Sequence, residues 1–231
     1  MRGQKFGVIF VLSVCLAVFS PEMSSARPVD LADYFAVGEI GGNLDTVSQV
    51  WNYQYTSGSY MGQSFTVNLK GSVDPATGVQ HRVYKKGDGS PYLECYIRPK
   101  SMSIVLAGTR EGFNITDQEI SRLNDRQVFH GTKYAWVLHF RRECPEPLPY
   151  KGTYLMIVVI DKTQNGDALL NGCSYLDIPS ELQSRRVMGI SFFAPKVGEI
   201  YHWEYSYDSN NDHKPSEDYT YKLISTSAPS P

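Results

Sequence analysis

Residues 199–207 read Glu-Ile-Tyr-His-Trp-Glu-Tyr-Ser-Tyr, and the alternation in this run constrains the fold more than any other feature of the chain. Ile200, His202, Glu204 and Ser206 alternate with Tyr201, Trp203, Tyr205 and Tyr207. A period of two is that of a β-strand, so the four aromatic side chains leave one face and their neighbours the other. Three Tyr and one Trp on one face present too much apolar surface to stay wet, so a β-rich core or a ligand covers them. Just upstream, residues 187–193 form a second β-like run, and Ala194-Pro195-Lys196-Val197-Gly198 between the two has the composition of a turn. Trp203, mid-run with Tyr201 and Tyr205 on either side, is expected at the centre of the core.

The same reading extends along the chain. Trp51, Tyr53 and Tyr55 alternate with Val50, Asn52, Gln54 and Thr56. Further short runs follow at 60–69, 79–85, 92–98 and 102–107, separated by clusters such as Lys86-Gly87-Asp88-Gly89-Ser90. Strand character resumes at 134–142. The run 153–161, Thr-Tyr-Leu-Met-Ile-Val-Val-Ile-Asp, is apolar on both sides and reads as a strand covered on both faces. Asn165-Gly166 tolerates the positive φ of a tight hairpin and leads into a run at 168–178; a last strand is expected at 218–225. One helix interrupts the pattern. Thr116-Asp117-Gln118-Glu119 has the form of a capping box, with Ile115 and Ile120 placed as a hydrophobic staple, so a short helix is expected over about 116–124. The fold class is therefore mainly β: a curved antiparallel sheet as a half-barrel, a barrel or a β-sandwich. Pro145–Pro149 is the one candidate break, and the segment 27–226 reads as a single antiparallel β domain with a frayed tail at 227–231.

The first residues read as a targeting segment. Arg2 and Lys5 precede an apolar run at 6–19, and Ser24-Ser25-Ala26 offers small residues for cleavage, so 1–26 is expected to be a signal peptide. The run is short for a membrane span, and no transmembrane span is expected after its removal. A lipoprotein anchored at Cys15 fits less well, because Val14 stands where a small residue is wanted. The expected address is outside the cytoplasm: periplasmic, extracellular or envelope-associated. Removing 1–26, with Arg2, Lys5 and Glu22, takes the formal net charge from −2 to −3. Such a balance gives no basic footprint for nucleic acid. Cys95, Cys144 and Cys173 remain, an odd number without C-x-x-C spacing. Buried small apolar cysteines are the simplest reading, with one disulfide among them as the alternative.

Two short stretches carry a resemblance. Asp33-Tyr34-Phe35-Ala36-Val37, a glycine bend and then Trp51-Asn52-Tyr53 resemble the opening of exported bacterial β-rich proteins that begin D-Y-F-P-L, then glycine, then W-x-Y. Asn171-Gly172-Cys173 and Phe193-Ala194-Pro195-Lys196-Val197-Gly198 resemble their later N-C element and Y-A-P-G-V-G turn. Ala36 replaces the usual proline and Lys196 the usual glycine. The resemblance implies a bacterial envelope address and a curved antiparallel sheet, and brings no catalytic residues with it.

Motifs for chemistry are sparse. Gly189-Ile190-Ser191-Phe192-Phe193 lacks the second glycine of a nucleophile elbow, and no phosphate loop or dinucleotide fingerprint is present. His81, His130, His139, His202 and His213 have no metal-ligand spacing; His139 and His202 fall on the strand faces opposite the large aromatics. Asp208, Asn210 and Asp212 offer oxygen ligands at alternate positions, a weak calcium candidate, since His213 stands where an EF-hand loop needs glycine. No cofactor is expected. The functional expectation is a non-enzymatic exported envelope protein that binds an apolar or lipid-like ligand or a partner protein, or serves a structural role. The alternative is a carbohydrate-binding β-sandwich with an aromatic platform. Trp51, Tyr53, Tyr201, Trp203 and Tyr205 are the candidate ligand-binding residues in either case.

Overall fold

Alternating apolar and polar residues build one antiparallel sheet, and its connectivity decides where a site can be. The computed structural model describes residues 31–35, 40, 47–98, 101–106, 111–116, 126–141, 153–166, 178–207 and 217–227. Six strands make a first meander: β1 (Gln49–Tyr55), β2 (Ser64–Val73), β3 (Gln80–Lys86), β4 (Pro91–Arg98), β5 (Ser101–Leu106) and β6 (Gly112–Thr116). Six more make a second: β7 (Gln127–His130), β8 (Tyr134–Arg141), β9 (Tyr154–Asn165), β10 (Arg185–Ala194), β11 (Gly198–Ser206) and β12 (Glu217–Thr226). The order across the sheet is β6-β5-β4-β3-β2-β1-β12-β11-β10-β9-β8-β7. The two meanders thus join where β1 pairs with β12, from Trp51 opposite Thr226 to Tyr55 opposite Tyr221.

The sheet curls without closing. Its end strands β6 and β7 meet through side chains: Phe113 stacks on Phe129 with ring centroids 4.9 Å apart and tilts against Trp136 at 5.5 Å. The Glu111 carboxylate accepts the backbone N–H of Lys133 at 3.0 Å and of Tyr134 at 3.2 Å, tying the same two ends. Of the architectures left open by the sequence, the chain adopts the curled half-barrel.

Two apolar clusters follow from the curl. The inner one gathers residues from both meanders, among them Trp51, Tyr53, Leu69, Tyr84, Phe113, Trp136, Leu155 and Tyr221. The outer one covers only part of the second meander, with Val158, Ile190, Phe192, Tyr201 and Tyr205 packed beneath Ile178 and Leu182, the latter in the 3-10 turn Ser180–Leu182. Strand β9 serves both: Leu155 and Ile157 face the inner cluster, and Tyr154, Met156, Val158 and Ile160 the outer one. Its unbroken apolar run is explained by that double burial.

A four-residue helix, α1 (Ala32–Phe35), plugs one end of the curl. Leu31, Tyr34 and Phe35 bury their side chains in the inner cluster, and the Phe35 ring lies 4.9 Å from that of Phe193. The Tyr84 hydroxyl donates to the Phe35 carbonyl, the Tyr34 hydroxyl to the Thr153 carbonyl, and the Lys196 N–H to the Asp33 carbonyl. Strand β6 ends at Thr116, where the expected helix would begin, and residues 117–124 lie outside the described residues. So do Asp208, Asn210 and Asp212, residues 1–26, Cys144 and Cys173. Cys95 is free and fully buried on β4, and burial pushes its thiol up to about 12. No helix among the described residues is long and apolar enough to cross a membrane.

Trp203 departs from expectation. Tyr201 and Tyr205 are 1% and 2% exposed, whereas Trp203 is only half-buried at the margin of the outer cluster. The register gives the reason. Trp203 has Ile190 opposite it on β10 but Thr220 on β12, so apolar packing reaches it from one side alone.

Candidate functional site

Between the limbs of the curl lies a cavity of about 440 Å³. Pro91, Leu93, Val159, Met188 and Phe193 give it apolar walls, Ser191, Glu199, His202 and Glu204 of β10 and β11 give it a polar side, and Lys86 of β3 also lines it. Tyr92 and Tyr221 contribute rings whose hydroxyls meet at 3.0 Å. A smaller cavity of about 20 Å³ adjoins it toward α1, lined by Tyr34, Phe35, Trp51, Tyr53, Tyr84 and others, and Glu199 borders both. That smaller volume suits about one water molecule.

The polar side is built by an irregularity in β11. Residues three apart on a regular strand point to opposite faces. Here Phe192 pairs with Tyr201 but Phe193 pairs with Glu199, which leaves Ile200 as the extra residue of a β-bulge. The bulge resets the alternation, so Ile200 and Tyr201 both bury outward while Glu199 and His202 both line the cavity. Their side chains meet, with Glu199 Oε1 3.3 Å from His202 Nδ1. Ser191 Oγ lies 2.8 Å from the same nitrogen, and the imidazole stacks on Tyr221 at 4.8 Å between centroids and 18° between planes. Gly189 on the neighbouring strand leaves the ring its space: a Cβ there would come within 3.3 Å of His202 Cε1 and 3.0 Å of the Trp203 carbonyl oxygen.

Glu199 is the most constrained member of the group. It is 6% exposed, and its Oε2 has no hydrogen-bond partner among the described residues. Burial raises its carboxyl above the ordinary value, with the His202 hydrogen bond pulling the other way. Ser191, His202 and Glu199 are the residue types of a hydrolytic relay, but the arrangement differs. Both the hydroxyl and the carboxylate converge on Nδ1, whereas a relay needs them on opposite ring nitrogens. Among the described residues no group of three or more His, Cys, Asp or Glu is placed to hold a metal ion.

The structure separates the five residues singled out in the sequence. Trp51 and Tyr53 lie on the inner face, below the large cavity and lining only the small one. Their polar atoms are spent on the fold: Trp51 Nε1 donates to the Val197 carbonyl at 2.7 Å, and the Tyr53 hydroxyl to the Glu199 carbonyl at 2.9 Å. Tyr201 and Trp203 pack edge to face on the outer side, 5.5 Å between centroids, away from the cavity. Tyr205 belongs to the outer cluster and also borders the large cavity. Glu199, Ser191, Lys86, Tyr92 and Tyr221 line it without having been singled out. The only sequence signal toward them was the polar side of the β11 alternation, His202 and Glu204.

No protein-family model matches the chain, and no curated protein does. Among solved structures, a LolA superfamily protein from Nitrosomonas europaea is similar over 79% of this chain and 85% of that chain, at 6% identity and a TM-score of 0.23. A likeness that weak carries no argument about fold or ligand.

Proposed function

We propose that this protein is an exported, non-enzymatic envelope protein that holds one apolar or amphipathic small molecule inside its curled sheet. The observation that carries the reading is the cavity of about 440 Å³ between the limbs, a volume typical of small-molecule sites. Its lining combines apolar walls with a polar cluster from β10 and β11, Ser191, Glu199, His202 and Glu204, which suits a ligand with a hydrocarbon body and a polar end. Export rests on the composition of residues 1–26, and the bacterial envelope address on the motif resemblance around Trp51 and Gly198. A carbohydrate platform needs coplanar exposed rings. Tyr60 is the one aromatic among the exposed large hydrophobic residues described, and it is tilted by 41° to Tyr55 and 32° to Tyr219.

Titration with a neutral hydrophobic naphthylamine dye tests the reading, followed by displacement with a long-chain alkanol, a phospholipid or a soluble polysaccharide. Saturable one-to-one dye binding displaced by the alkanol is expected. Met188→Trp, which fills the cavity from its wall, should weaken the dye by about tenfold or more without lowering the unfolding temperature. Absence of saturable binding, or displacement by polysaccharide alone, would overturn the proposal.

A further inference from the structure

Building on the cavity reading, we propose that its polar side selects an amphiphile with a protonated amine head, held by the carboxylate of Glu199, over one with a carboxylate head. The argument starts from an acceptor without a donor. Glu199 is 6% exposed and lines the cavity; its Oε1 is 3.3 Å from His202 Nδ1, while Oε2 has no hydrogen-bond partner among the described residues. A buried carboxylate oxygen without a donor is costly, and such atoms mark places where something outside the chain completes the bonding.

The groups facing Glu199 do not supply that donor. The Tyr53 hydroxyl of β1 is committed to the Glu199 main-chain carbonyl at 2.9 Å. The Tyr221 hydroxyl of β12 is paired with Tyr92 at 3.0 Å, and Ser191 Oγ of β10 with His202 Nδ1 at 2.8 Å. The Lys86 ammonium of β3 stands over the Phe65 ring, 5.4 Å from its centroid. On β11 itself, Glu204 adds a second carboxylate to the cavity lining. Two carboxylates against one lysine favour a cation and repel a carboxylate head. An ammonium brings three donors and forms a charge-assisted bond with a carboxylate, and the soft terminal torsion of Glu lets Oε2 turn to meet it. Pro91, Leu93, Val159 and Met188 take the hydrocarbon.

Burial raises the Glu199 carboxyl above its ordinary value, and an ammonium seated against the carboxylate offsets that cost. Calorimetric titration of the full chain near neutral pH with dodecylammonium, dodecanol and dodecanoate, each below its micelle concentration, reads the preference. The amine should bind about tenfold or more tightly than the alkanol, and the carboxylate more weakly than either. Glu199→Gln should remove about tenfold of the amine's advantage over dodecanol. If dodecanol binds but the amine has no advantage, or Glu199→Gln keeps the advantage, the inference falls while the cavity reading stands. If none of the three binds, the cavity reading falls and takes the inference with it. Should Glu199→Gln not fold, the comparison of head groups on the unaltered protein decides alone.

Discussion

The hydroxyls of Tyr92 on β4 and Tyr221 on β12 lie 3.0 Å apart, although β3, β2 and β1 stand between their strands in the sheet. Strands that far apart touch only because the sheet rolls, so the pair is a strut across the curl. Tyr221 is buried edge-on against Phe65 and Tyr53, at 5.0 Å and 5.4 Å between centroids, and burial pushes its phenol well above the ordinary value. Its hydroxyl is the polar atom that this packing has to satisfy.

Removing either partner should therefore cost as much as removing both. Tyr92→Phe and Tyr221→Phe are each expected to lose about 1 kcal/mol, and the double variant little more, a coupling of about 1 kcal/mol. Urea denaturation of the four proteins measures the cycle. Strictly additive losses would show that the two hydroxyls are not bonded.

Burial ranks the tryptophans. Trp136 on β8 is 0% exposed and packs against Phe113, whereas Trp203 is half-buried with Thr220 on one flank. Trp136→Ala should cost about 3–5 kcal/mol through lost burial and the cavity left behind, and Trp203→Ala roughly half of that or less. Thermal unfolding of both variants beside the parent gives the order. A larger loss at Trp203 would place it in the core after all.

The turn between β10 and β11 holds a lysine where the backbone favours glycine. Lys196 has φ of 62°, the left-handed region, in which a side chain costs about 1–2 kcal/mol. Lys196→Gly relieves that strain but adds freedom to the unfolded chain, so a net gain of up to about 1 kcal/mol is expected. A lower urea midpoint than the parent would contradict it.

Glu199 should leave a mark on stability as a function of pH. Its folded carboxyl is raised above the ordinary 4.5 by burial, with Glu204 adding a little, against the lowering pull of His202 and Lys86. An acid raised in the folded state binds its proton more tightly there. Its favourable contribution is thus complete below the unfolded value and is lost as pH climbs through the folded one. Glu94 behaves oppositely: burial raises it, but hydrogen bonds from His81 and Tyr96 outweigh that and hold it low. Comparing the parent with Glu199→Gln cancels Glu94, which both carry. The parent should lose stability relative to the variant as pH rises from about 4.5. Parallel curves from pH 4 to pH 8 by urea midpoint would rule this out.

Much of the sheet was written in local pattern. The doubly apolar run of β9 and the alternation of Trp51, Tyr53 and Tyr55 gave strands because a side chain's face on a strand depends only on its parity. Strands β6 and β7, five and four residues long, were not legible. Runs that short carry too few alternations to stand out, and they pack through Phe113 and Phe129 only once the sheet has curled. The helix α1 was missed for a related reason. Four residues make no amphipathic stripe, and Tyr34 and Phe35 are held by Thr153 and Tyr84 from elsewhere in the chain.

The candidate site was the least legible part. Parity places Tyr201, Trp203 and Tyr205 together, and the structure keeps them so on the outer cluster, but parity does not say which face of a sheet becomes its inside. The choice was made by the curl, which brings Tyr92 to Tyr221 and turns Trp51 and Tyr53 inward under the cavity. The pairing of Glu199 with His202 was beyond local pattern altogether. It depends on Phe192 and Phe193 of another strand setting a register that expels Ile200 and reverses the parity of β11 at that point. The sequence by itself determined the longer strands and their apolar faces, because those depend on neighbours along the chain. Only the tertiary structure decided which face encloses the cavity and which polar groups meet there, because those depend on register and curvature between strands far apart in sequence.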